Sequence, residues 1–180
     1  MALTGKTIAF LVGPEGIEQA ELVEPWKAVQ DAGGSPKLVS KEPGTVQAFH
    51  HLTPADTFPV DATLASANAD QFDALVLPGG VANGDQVRTF PEAVSLVKGF
   101  AEAGKPIAVI CHGGWVLIEA DVVGGRTVTS WPSLQTDYRN AGATWVDREV
   151  VVDEGPFPLV SSRKPDDLPA FCRELVAAFE

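Results

Sequence analysis

The sequence predicts an α/β protein, a three-layer sandwich built around a mostly parallel sheet. Short apolar runs rich in Val and Ile alternate with segments of helical period along the whole chain. Several of those runs are apolar at every position, as parallel strands covered on both faces must be. Glycines follow the helix-like segments and prolines open them, so the chain carries its own stops and starts. Alternation of this kind is the mark of a sheet with helices packed on it.

Residues 7–12 supply a first strand and 17–32 a first helix, which Pro25 should kink and Gly33-Gly34 should end. Residues 37–40 read as a strand, and 41–72 read less regularly, as an excursion or small hairpin. A strand at 73–77 precedes a helix at 91–103, opened by Pro91 and closed by Gly104. Strand 107–110 runs straight into a short helix at 115–120. A helix at 133–141 ends before Gly142, strands at 150–152 and 159–161 follow, and Pro165 opens a last helix to 179. Repeats, low-complexity tracts and linkers are lacking, so residues 1–180 are expected to form one domain.

Composition narrows the function. Hydrophobic residues make up 45% and charged residues 21%, which excludes whole-chain disorder. A formal net charge of −11 argues against nucleic acid, whose phosphates need a cationic footprint, and against anionic membrane. The first apolar run is too short for a signal peptide and ends in Gly13-Pro14. No stretch approaches the ~18 apolar residues of a membrane span, and the expectation is a cytoplasmic protein. Cys111 and Cys172 match no zinc or disulfide pattern, so no metal is expected. A cysteine in a reducing compartment is then more often chemical than cross-linking.

In open parallel sheets ligands collect beyond the carboxyl ends of the strands, and three loops here follow strands directly: 13–18, 78–85 and 111–114. The third carries the strongest signal. A buried strand leads into Cys111-His112-Gly113-Gly114 and a helix begins at once, the layout of a nucleophile elbow. The helix end should favour the thiolate of Cys111. His112 is a candidate base or orienting partner. Leu77-Pro78-Gly79-Gly80 ends the strand at 73–77 in small residues whose amides could form an oxyanion hole. The first unit offers Glu15, Glu18, Glu21 and Glu24, any one of which could face the sulfur; spacing does not choose among them.

Three other patterns carry no function at this level. Residues 99–105 imitate the start of a phosphate loop, but Pro106 stands where Ser or Thr is needed, so no cofactor is expected. His50-His51 lacks the spacing of a helical metal pair and reads as surface loop. Trp26, Trp115, Trp131 and Trp145 are scattered and read as core or interface packing.

Taken together, the Cys-His-Gly elbow, the Leu-Pro-Gly-Gly turn and the Glu-x-x-Glu-Leu segment resemble the PfpI family, the intracellular-protease and deglycase branch of the ThiJ/PfpI superfamily. Residues 125–137, 140–147 and 162–168 resemble that branch too, and the likeness spans essentially the whole chain. It implies a flavodoxin-like, class I glutamine-amidotransferase-like fold. It also implies Cys111 as the reactive cysteine, His112 as its neighbour, Glu18 as the glutamate contacting the sulfur, and amides at Gly79, Gly80 and Gly113 facing the reacting oxygen. In this branch an acid from a neighbouring subunit completes the site, and Asp85 is its match, in a loop. Self-association as a homodimer or a hexamer built of dimers follows from that. The family's Cys-His-Gly-Pro is Cys-His-Gly-Gly here, and Gly84 stands where the branch often has proline; both changes are expected to loosen the pocket walls. The activity implied is a stress-protective hydrolase or lyase acting on dicarbonyls or their protein adducts. An intracellular cysteine peptidase and a non-enzymatic redox sensor or holding chaperone are the alternatives.

Overall fold

The computed structural model describes residues 1–180. The chain runs β1 (Thr7–Leu11), β2 (Glu15–Glu18), α1 (Gln19–Asp31), β3 (Ser35–Ser40), β4 (Thr45–His50), β5 (Thr53–Pro59), β6 (Ala62–Thr63) and β7 (Ala74–Leu77). It continues through α2 (Val81–Val87), α3 (Pro91–Glu102), β8 (Ile107–Ile110), α4 (Trp115–Glu119), β9 (Thr127–Val128), α5 (Gln135–Asn140) and β10 (Thr144–Trp145). Strands β11 (Val150–Asp153) and β12 (Leu159–Ser162) and helix α6 (Leu168–Phe179) complete it.

Seven strands form the central sheet in the order β11-β12-β8-β7-β1-β3-β6, and every pairing is parallel except β11 with β12. Strand residues alternate between the two faces, and here both faces are buried. Ile8, Phe10, Ala74, Val76, Ala108 and Ile110 pack against Leu22 and Val29 of α1 and Phe171 and Leu175 of α6. Ala9, Leu11, Leu75, Leu77, Ile107 and Val109 pack the other way, against Val97 and Phe100 of α3 and Val116 and Leu117 of α4. That double burial is why the strands read as unbroken apolar runs. The fold is the expected α/β sandwich, flavodoxin-like in its layers.

Two local expectations need correction. Residues 17–18 are not helix: they belong to β2, which pairs in parallel with β4, and β4 pairs antiparallel with β5, so the hairpin expected within 41–72 extends a small three-stranded sheet. Pro25 lies inside α1, as expected, and its missing N–H falls opposite the carbonyl of Glu21. Asp85 lies within α2, not in a loop. The turn-forming Asn83-Gly84 pair adopts helix there because of what it touches. Asn83 is buried, accepting from the Gly13 amide at 2.7 Å and donating to the Pro78 and Gly79 carbonyls at 3.0 Å each. One side chain thereby ties two of the strand-end loops together.

Candidate active site

The three strand-end loops converge on one cavity of about 790 Å³. Its wall is completed by Phe49, His51 and Leu52 from the β4–β5 hairpin and by Trp115 and Trp131. Cys111 sits on it at φ +60°, a left-handed conformation that a side chain other than glycine rarely adopts. That kink turns the chain sharply from β8 into the helical turn Cys111–Gly114. The elbow expected from the sequence is present.

Contacts around the sulfur revise the glutamate assignment. Glu21 is fully buried and lies beside the Cys111 thiol and the Gly79 amide, with neither carboxyl oxygen in a well-formed hydrogen bond. Burial pushes its pKa up to about 8, against the weaker pull of the cysteine hydrogen bond, so it is protonated at neutral pH. Glu18, the residue implied by the family resemblance, does not meet the sulfur. It is the extended residue before α1, and its carboxylate accepts from the His51 amide at 3.1 Å, bracing the hairpin. Glu18 and Glu21 lie three apart in sequence, but helix begins only at Gln19, so their side chains diverge.

The surroundings of the Cys111 thiol act on its ionisation in both directions. Burial, and then the nearby Glu21 charge, push the thiol up, while the Gly80 and His112 amides directed at the sulfur pull it down. A protonated Glu21 can donate to the sulfur once the thiol proton has left.

His112 places Nδ1 3.1 Å from Cys111 Sγ and Nε2 3.3 Å from Ser133 Oγ. Burial lowers its pKa to about 4. Its ring stacks on Trp131 at 5.7 Å between centroids and meets Trp115 at 5.3 Å. Sequence reading missed both tryptophans as site residues, although Trp115 lies one helical turn beyond His112; nothing in the spacing links Trp131 to it. His51, assigned to a surface loop, stands at the hairpin tip and lines the cavity. Lys105 of the rejected phosphate loop caps the carbonyls of Ala69 and Phe72 at 2.8 Å each.

Of the three glycines expected to donate to an oxyanion, only Gly80 lines the cavity, at φ +94°. A Cβ on Gly79 would stand 2.6 Å from that of Cys111, and one on Gly113 would stand 2.5 Å from the Leu77 carbonyl oxygen. Those two glycines permit close approach and do not face the cavity. Gly84 and Gly114 are equally tight: a side chain at 84 would strike the His112 carbonyl, and one at 114 the Tyr138 hydroxyl. The walls are therefore packed around these glycines, not loosened by them. Asp85 is exposed at the rim, which also carries Glu15 and Glu18 and no Lys or Arg. No three His, Cys, Asp or Glu side chains converge as a metal site, and no helix is long and apolar enough to cross a membrane.

A flavodoxin-like sandwich with a cysteine on a strand-to-helix elbow and a buried glutamate at its sulfur defines the class to which this chain is assigned. The family model described as DJ-1/PfpI family matches residues 6–178, and the chain belongs to that family. It is 43% identical to a deglycase of Pyrococcus horikoshii over 94% of this chain and 96% of the relative. It is 41% identical to general stress protein 18 of Bacillus subtilis, covering 98% and 99% of the two chains. The crystal structure of Drosophila melanogaster DJ-1beta superposes with a TM-score of 0.85 at 26% identity, over 97% of this chain and 90% of that one.

Proposed function

We propose that this chain is a cysteine-dependent enzyme that converts small dicarbonyl compounds, free or as adducts on protein amino groups, to 2-hydroxy acids. The observation that carries the reading is the convergence on Cys111 Sγ of a protonated carboxyl, an amide at Gly80 and an imidazole nitrogen, all on a cavity that suits a small molecule. Relatives named as a deglycase and a general stress protein support it.

His112 Nδ1 takes the thiol proton, and the sulfur attacks the aldehyde carbon. A C–S bond forms as the carbonyl electron pair moves to oxygen, which the Gly80 amide holds and Glu21 protonates. When the substrate is a carbinolamine adduct, that carbon carries no carbonyl, so the C–S bond forms as the C–N bond breaks and the nitrogen leaves with the proton given by Glu21. The Glu21 carboxylate then removes the proton from the sulfur-bearing carbon and returns it to the neighbouring carbon, leaving a thioester. Water cleaves the thioester, releasing the 2-hydroxy acid and restoring the thiol. Dicarbonyl and water are the only reactants consumed.

The working unit in this proposal is a homo-oligomer, with Asp85 reaching from one chain toward the site of the next. Methylglyoxal and an unstructured peptide panel, each assayed with the wild type and Cys111→Ala, test the reading. Lactate formation lost in the variant is the expected result. Peptide cleavage without lactate would replace it with peptidase action, and neither activity would leave a non-enzymatic role.

A further inference from the structure

The hydroxyl of Ser133 stands at the side of the His112 ring away from the sulfur. It belongs to the helical turn Pro132–Leu134 and meets His112 Nε2 at 3.3 Å. The turn is fixed to the elbow: the Trp131 amide donates to the Cys111 carbonyl at 3.4 Å, and the Trp131 ring lies stacked on the imidazole. Sulfur, both ring nitrogens and hydroxyl thus form one line within a single chain, Sγ to Nδ1 at one end and Nε2 to Oγ at the other.

We propose that Ser133 is the positioning residue of His112, holding Nδ1 toward the thiol before and after proton transfer. A hydroxyl suits this because it both donates and accepts. When the S–H bond breaks and an N–H bond forms at Nδ1, the cationic ring needs an acceptor at Nε2, and Ser133 Oγ is in place. Burial opposes charging this ring, so the acceptor matters more than it would in water. Without it the imidazole, whose outer torsion is broad and two-fold, is free to turn Nδ1 from the sulfur. Other charged groups nearby have different engagements. Arg88 lies over the Trp115 ring and pairs with Glu119, Asp137 accepts from Trp115 Nε1, Glu21 stands at the sulfur, and Asp85 is at the rim.

The inference rests on the cysteine–histidine pair of the proposed site but not on which carbonyl compound is turned over, so its test contains no aldehyde. In a Cys172→Ala background, the rate of Cys111 alkylation by iodoacetamide is measured from pH 5 to 10. Ser133→Ala should lower the rate at pH 7 about tenfold and move the profile about one unit to higher pH. Ser133→Thr should keep the wild-type profile, and Ser133→Asp, which sets a carboxylate at Nε2, should move it to lower pH. A purely structural role would shift none of these profiles while unfolding temperatures stay constant. Wild-type profiles for both the Ala and Asp variants overturn the proposal, as does a Thr variant that follows Ala. A shift produced by Asp85→Asn in place of Ser133→Ala would also overturn it, since the acid would then be the partner.

Discussion

Replacing Glu21 by glutamine should remove a pH dependence from the stability of this fold. The carboxyl titrates near its ordinary value of 4.5 in the unfolded chain and at about 8 in the folded one, because burial opposes its charge. Below pH 4.5 both states are protonated and the group costs nothing. Between 4.5 and 8 the unfolded chain ionises while the folded one stays protonated, so stability falls as pH rises, by about 1.4 kcal/mol per unit. Over that window the loss is on the order of 5 kcal/mol, a large share of the ~5–15 kcal/mol of a typical domain. Glutamine imitates the protonated carboxyl and does not titrate. Urea unfolding followed by tryptophan fluorescence, at fixed protein concentration with reductant, measures the effect from pH 5 to 9. The two proteins should be similarly stable at pH 5, and the variant should be the more stable by several kcal/mol above pH 8. A difference between them that stays constant from pH 5 to 8.5 would refute a buried, proton-holding Glu21.

Cys111→Ala should abolish turnover, while Cys172→Ala should retain it, because Cys172 lies half-buried on α6 with its thiol pushed up to about 12, first by burial; steady-state rates decide. Mixing inactive Asp85→Ala and Cys111→Ala chains under subunit exchange should restore part of the activity, and proven exchange without recovery would remove Asp85 from the mechanism. Gly114→Ala should cost about 1–3 kcal/mol by driving a methyl into the buried Tyr138 hydroxyl, and Tyr138→Phe should relieve much of that in a denaturation cycle.

What the sequence revealed and what it hid follow from which forces are local. The central strands were legible because each is apolar on both faces, and the elbow because a strand, a cysteine and two glycines follow one another without a gap. Strand β2, Glu-Gly-Ile-Glu, has no apolar run and exists through its pairing with β4, some thirty residues on. Helix α2 contains turn-forming Asn83-Gly84 and is held by contacts to Gly13, Pro78 and Gly79, which no local pattern announces. The choice between Glu18 and Glu21 turned on where helix α1 begins, the least legible property of any helix. Trp115 meets His112 one helical turn on, while Trp131 and Ser133 come to it only through the folding of a separate loop.

The left-handed backbone at Cys111 fixes a trade between function and durability. Holding a residue with a Cβ at φ +60° costs roughly 1–2 kcal/mol. Alanine in its place removes the thiol but keeps the strain, whereas glycine removes both. A lineage released from the need for catalysis could therefore gain stability in one step by Cys111→Gly, and a lineage under selection for turnover cannot take that step. The same site tells which control to use: Cys111→Ala reports the loss of sulfur chemistry alone, and Cys111→Gly mixes that loss with a relaxed elbow.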